Sequence, residues 1–227
     1  YLSGLTCTHE NAMVKAGAQG FAARHGLALV FPDTSPRGDG VADDEAFDLG
    51  QGAGFYVDAT EAPWAPNFQM QSYVLNDLSD LIFDAFPLDQ NRQAITGHSM
   101  GGHGALTLAA KSPGRFRSVS AFSPICNPVG SDWGQKQFAA YLGSVDAGEA
   151  HDASHLATGG KLNLPVLTDT GTSDQFGPLL RTETLANALA DHPDSTIRMQ
   201  EGYDHSYFFV ASFMEDHVAF HAEHLRG

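Results

Sequence analysis

The chain has 227 residues and a formal charge of −15, with 27 acidic against 12 basic side chains and a pI near 4.9. That balance repels nucleic acid and anionic lipid, and no basic block overcomes it, so neither is expected as a partner. No apolar run approaches the roughly 20 residues of a membrane span, and the length suits one domain, residues 1–227.

In chain order, Tyr1-Leu2 reads as the tail of a strand already under way. There is no initiator methionine, so a preceding segment is expected, and any targeting signal would lie in it. "ENAMVKAGAQGFAARH" is helical in pattern and stops at Gly26, a suitable C′ residue. "LALVFPD" (Leu27–Asp33) reads as a buried strand. Val74, Leu75, Leu78, Leu81, Ile82 and Phe86 recur at the spacing of an amphipathic helix, closed by Pro87. Short β-prone runs follow at Gln93–Thr96, Ser118–Phe122, Leu164–Asp169 and Thr196–Gln200. Helical patterns accompany them at Met100–Ser112, Leu179–Ala190 and Phe208–Leu225. Such alternation predicts an α/β fold, a mostly parallel, doubly wound sheet with helices on both faces. Thr34–Met70 and Ser123–Gly143 fit neither period and are expected as long functional loops. Their aromatics, Phe47, Phe55, Tyr56, Trp64, Phe68 and Trp133, suit pocket walls or packing on the core.

"AITGHSMGGHGALTLAA" sets Ser99 between Gly97 and Gly101, where a strand pattern ends and a helix pattern begins. G-x-S-x-G at that junction is a nucleophile elbow: small neighbours let the strained turn close, and the serine Oγ stands out at the sheet's carboxyl edge. The helix that follows points its N-terminus at the place where negative charge would develop. A serine nucleophile needs a base and an orienting carboxylate, which follow in the order Ser, Asp or Glu, His on later loops. "TGTSDQF" after the third run offers Asp174, with Asp169 at the strand end as a brace for the turn. "EGYDHSYFF" after the fourth offers His205, with Asp204 as a turn residue. An oxyanion hole would use the backbone N–H of Met100 and one from the early "YLSGLTC" loop, where Leu5 is the candidate.

Other residues have blander readings. The two cysteines, Cys7 and Cys126, make neither a disulfide scaffold nor a metal pair and suit free thiols in a reducing compartment. Cys7 lies two residues past the proposed donor and could line the site, open to blocking oxidation. His217, His221 and His224 share a helical face, but no HExxH-type carboxylate accompanies them, so no metal is expected. His98 and His103 flank the elbow as packing or capping residues. Arg37 could hold a substrate carboxylate or a structural ion pair.

Together, "YLSGLTCTHEN", "VFPDTSPRG", "GAGFYVDAT", "ITGHSMGGHGAL", "FSPICNP", "WGQKQFAAYLG", "DQF" and "EGYDHSYFF" resemble the S-formylglutathione hydrolases, the esterase D family. The likeness runs in order from residue 1 to about 225. It implies an α/β-hydrolase fold and a cytoplasmic, cofactor-free thioesterase that splits S-formylglutathione into glutathione and formate in formaldehyde detoxification. It also implies Ser99 as nucleophile, Asp174 as acid, His205 as base, and the Leu5 and Met100 amides as the oxyanion hole. Members hydrolyse small activated esters too and are often homodimers. The family carries further residues before the "YLSGLTC" block, and Ser131 departs from its usual pattern. A general short-chain carboxylesterase, an acyltransferase sharing "GHSMGG", and a non-catalytic binding module on the same fold are the alternatives to be separated by experiment.

Overall fold

The computed structural model describes residues 1–226. Small and β-branched residues form four strands: β1 (Gln93–His98), β2 (Phe116–Phe122), β3 (Val166–Gly171) and β4 (Ser195–Gln200). They pair in parallel in the order β1-β2-β3-β4, with Ile95 beside Val119, Val119 beside Val166 and Asp169 beside Arg198. Ahead of the sheet come α1 (His9–Lys15), α2 (Ala18–His25), α3 (Met70–Ser72) and α4 (Leu78–Ala85). Threaded between and after the strands are α5 (Met100–Lys111), α6 (Asp132–Leu142), α7 (Ala153–Thr158), α8 (Gly177–Leu180), α9 (Thr182–Ala188) and α10 (Tyr207–Leu225).

Because spatial order equals chain order, every crossover returns over the same face of the sheet. That face holds α5 against β1 and β2, with α7 bridging α5 and α9. The last strand is followed by a turn that carries the chain over the carboxyl edge, and α10 lies on the opposite face against β1, β2, β3 and α2. The period-2 pattern of β2 serves both faces: Val119 and Ala121 belong to one core, while Phe122 joins Phe209, Val210, Met214 and Val218 in the other.

Beneath α10 lies a buried polar chain. Arg198 and Gln200 donate to Asp169, whose Oδ2 also stands 3.0 Å from His217 Nε2. His217 Nδ1 is 2.9 Å from Ser120 Oγ, which lies 2.8 Å from His221 Nε2, and His221 Nδ1 is 2.7 Å from Ser118 Oγ. Asp169 is therefore a structural anchor inside β3, two residues short of its end. The bonds from His217, Arg198 and Gln200 outweigh its burial and bring its carboxyl down to about 2.

Burial pushes His221 and His103 down to about 3 and His151 down to about 4. A folded-state value below the ordinary 6.5 means that stability is intact above that pH and is lost as the pH falls toward the folded value. At about pH 5, His103 and His221 should each cost about 2 kcal/mol relative to neutral pH. Urea midpoints at the two pH values should fall accordingly, and His221→Gln should remove one ring's share of the loss. An unchanged pH dependence in that variant would contradict this assignment.

The structure corrects several sequence expectations. Leu27–Asp33 is extended but is not a strand: among the described residues its ladder-like bond is the one from the Tyr1 amino group to Val30 O at 2.8 Å. The first helix is two helices, broken where Gly17 takes a φ of 68°. The helix leading to Pro87 passes through a π turn at Tyr73–Asp77, and Arg181 at φ 55° splits the pattern at 179–190 into α8 and α9. Ser123–Gly143 contains α6, capped by Ser131. Of the two readings open for the loop aromatics, core packing holds for Phe55, Tyr56, Trp64 and Phe68. Among the described residues no helix is long and apolar enough to cross a membrane.

Candidate active site

The site lies along the carboxyl edge of the parallel sheet, where strand ends and helix beginnings meet. Ser99 directly follows β1 with φ 59° and ψ −121°, the sharp turn expected of an elbow. A Cβ at Gly97 would collide with the carbonyl of Gly101, and one at Gly101 would collide with Leu2 O. Both glycines are therefore dictated by backbone approach. Gly101→Ala should lower stability by about 3 kcal/mol and disturb the neighbouring Leu2–Leu5 segment. A thermal melt checks this; an unchanged melting temperature would contradict the close approach.

The turn is tied into the sheet by Ser99 N donating to Phe122 O at 2.9 Å. Asp174 follows β3 and His205 follows β4. His205 Nδ1 lies 2.6 Å from Asp174 Oδ2, which leaves Nε2 for the cavity. That oxygen also accepts from Ser123 Oγ at 2.8 Å, and Asp174 Oδ1 accepts the Phe176 amide at 2.9 Å. Burial pushes the Asp174 carboxyl up, but the bonds from His205, Phe176 and Ser123 prevail and hold it below its ordinary value.

Ser99 and His205 border one cavity of about 340 Å³. Leu5, Cys7, Trp133 and Phe176 line it as well, and Phe47 stands at its edge, 59% exposed. Leu5 sits in the turn beside Ser99, and Met100 opens α5, so its amide is one of the four at a helix start without an intrahelical acceptor. Burial pushes the Cys7 thiol up, which disfavours the nucleophilic thiolate. Arg37 is not among the residues around the cavity; it pairs with Asp33 at 3.0 Å and donates to Cys7 O at 3.0 Å. Asp204 accepts the Ser206 amide and shapes the turn, as expected.

Several neighbours were not singled out from the sequence. The Phe176 ring meets His205 edge-on at 4.9 Å, and Asn11, Lys15 and Tyr207 lie around the cavity. His98 packs against His205 with ring centroids 4.6 Å apart and the rings tilted by 40°, in keeping with the packing role expected of it. Burial holds its imidazole well below the ordinary value, so it stays neutral against a ring that would have to accept a proton. Only Phe176 could have been found earlier, since it stands two residues past the candidate carboxylate. His103 instead packs on Phe55, and His217 and His221 serve the polar chain under α10; among the described residues no cluster could hold a metal.

The Esterase family model matches residues 1–220. An S-formylglutathione hydrolase of Paracoccus denitrificans is 63% identical over 227 residues, covering 99% of this chain and 81% of the relative. The chain belongs to the S-formylglutathione hydrolase family. The mouse S-formylglutathione hydrolase is 48% identical, with 100% of this chain and 83% of that protein covered. The solved S-formylglutathione hydrolase of Agrobacterium tumefaciens superposes with a TM-score of 0.95 at 46% identity, over 99% of this chain and 83% of that one. Membership makes the chain a serine hydrolase of the esterase class with an α/β-hydrolase fold, as the motif blocks implied.

Proposed function

We propose that this chain hydrolyses S-formylglutathione to glutathione and formate through a formyl-enzyme on Ser99. The observation that carries the reading is the 2.6 Å contact of buried Asp174 with His205, a residue that lines the same cavity as Ser99. Family membership supports the substrate.

His205 Nε2 takes the Ser99 hydroxyl proton as Oγ attacks the formyl carbon, and Asp174 holds the ring in the Nδ1–H form and stabilises the imidazolium. The carbonyl oxygen becomes an oxyanion against the Leu5 and Met100 amides, each such donor being worth about 3 kcal/mol. The C–S bond then breaks and glutathione leaves as a thiolate, which takes up the proton of the His205 imidazolium as it departs and so restores the neutral base. Water, deprotonated by His205, attacks the formyl ester, and the imidazolium returns that proton to Ser99 Oγ as formate departs.

Trp133, Phe176 and Leu5 close the cavity around a small acyl group, and Lys15 brings a positive charge to a site that must accept an anionic tripeptide on an acidic protein. The reading includes one domain over residues 1–227, action without a cofactor, a cytoplasmic location compatible with the free thiols Cys7 and Cys126, and a homodimer.

The test is turnover of S-formylglutathione beside p-nitrophenyl acetate by the purified protein. A kcat/KM far higher for the thioester is expected. Equal turnover of both would point to a broad carboxylesterase, and turnover of neither to a binding module.

A further inference from the structure

β2 ends at Phe122, and the next residue, Ser123, takes a φ of 40°, in the left-handed region where glycine is at home and other residues are strained. Its side chain is fully buried. A buried serine in a glycine conformation needs a use for its hydroxyl, and this one has an acceptor of unusual interest. Ser123 Oγ donates to Asp174 Oδ2 at 2.8 Å, the same oxygen that faces His205 Nδ1 at 2.6 Å. The acceptor is a carboxylate, so the hydroxyl proton must lie on that line. The backbone around it is fastened on both sides: Ser123 N donates to Asp169 O at 2.7 Å, Phe122 O accepts the Ser99 amide, and Ile125 N reaches Ser99 O at 3.4 Å. The turn after β2 thus spans from the nucleophile's turn to the carboxylate's turn.

We propose that Ser123 is a positioning residue for the acid of the triad. Its hydroxyl fixes the rotation of the Asp174 carboxylate so that Oδ2 lies in line with His205 Nδ1, and it draws off part of the negative charge that would otherwise act on the imidazolium. The inference rests on the reading of Ser99, His205 and Asp174 as nucleophile, base and acid.

Ser123→Gly is the informative variant, because it deletes the hydroxyl while relieving the backbone. Its melting temperature should hold or rise, while kcat for S-formylglutathione should fall by about 10- to 100-fold, the range for a lost hydrogen bond to a charged group, with KM little changed. The acid limb of the pH profile of kcat/KM should move to higher pH, since a carboxylate with one donor fewer raises the basicity of its histidine. The other titratable groups about the pair, His98 on β1 against the His205 ring, and Cys7, Lys15 and Tyr207 around the cavity, are the same in both proteins. Ser123→Ala, which keeps the Cβ and the strain, should show the same kinetic defect if the glycine variant folds poorly.

The decisive comparison is a double-mutant cycle with Asp174→Asn, in which loss of Ser123 should cost almost nothing once the carboxylate is gone. A folded Ser123→Gly with wild-type kcat and pH profile, or additive losses in the cycle, would overturn the proposal. If Asp174→Asn alone left activity intact, the triad reading would fall first and this one with it. A slow Asp174→Asn beside a fast Ser123→Gly would sink this one alone.

Discussion

Ser99→Ala should lower kcat for S-formylglutathione by about five to six orders of magnitude, leaving the residual rate that oxyanion donors and binding can supply alone. The Cys7 thiol borders the same space, but burial raises its pKa and keeps it protonated. His205 would still be held by Asp174, so the loss would fall on kcat while KM changed little. The fold should survive, because alanine faces the same φ of 59° that serine already tolerates. Steady-state kinetics on protein free of wild-type carry-over, together with a melting curve, make the check. A loss smaller than about a hundredfold would exclude Ser99 as the nucleophile, since a missing nucleophile costs far more than that.

Asp174→Asn should lower kcat by about 10⁴-fold, the effect of presenting histidine with an amide that favours the wrong tautomer. The surroundings sharpen the expectation. Three donors converge on this carboxylate: His205 Nδ1, Ser123 Oγ and the Phe176 amide. An amide has one acceptor oxygen, so its NH₂ must turn toward at least one of those donors. The depressed carboxyl pKa makes a stabilising contribution that is present above the ordinary value of 3.8 and is lost as the pH falls through the lower folded value. Asp174→Asn should therefore also lose some stability at neutral pH. Asp169→Asn separates the two aspartates: it should damage stability through Arg198 and His217 while leaving kcat within about tenfold, since that carboxylate faces α10 and not the cavity. A reversed pattern would exchange their roles.

Much of the candidate site's placement was legible, because Ser99, Asp174 and His205 come in the chain order that a parallel sheet brings to one edge. The elbow, the carboxylate and the histidine each follow a strand, and the strand and helix patterns around Ser99 matched β1 and α5 closely. What escaped the sequence depended on partners distant in the chain. Leu27–Asp33 has strand composition, but a strand exists only where a neighbour completes its ladder, and among the described residues it makes a single ladder-like bond, with Tyr1. The split at Arg181 is a backbone event at a residue that gives no warning of a positive φ. Asp169 has the position of a strand-end brace in the sequence, but β3 runs two residues past it, and its His217 and Arg198 partners come from other elements that no local pattern can announce. α6 was hidden because "DWGQKQFAAYLG" alternates apolar and polar residues irregularly, although Ser131 at its start is an ordinary N-cap. Ser123 looked like a loop serine, since nothing local announces that β2 ends level with the acid of another strand's loop.

The most direct test is labelling with a fluorophosphonate followed by peptide mapping, with and without S-formylglutathione. The label should sit on Ser99, and saturating S-formylglutathione should slow its attachment because the thioester occupies the same oxyanion hole and nucleophile. Label on another residue, or labelling of Ser99 at an unchanged rate in the presence of the thioester, would contradict the claim that this serine is where the formyl group is transferred.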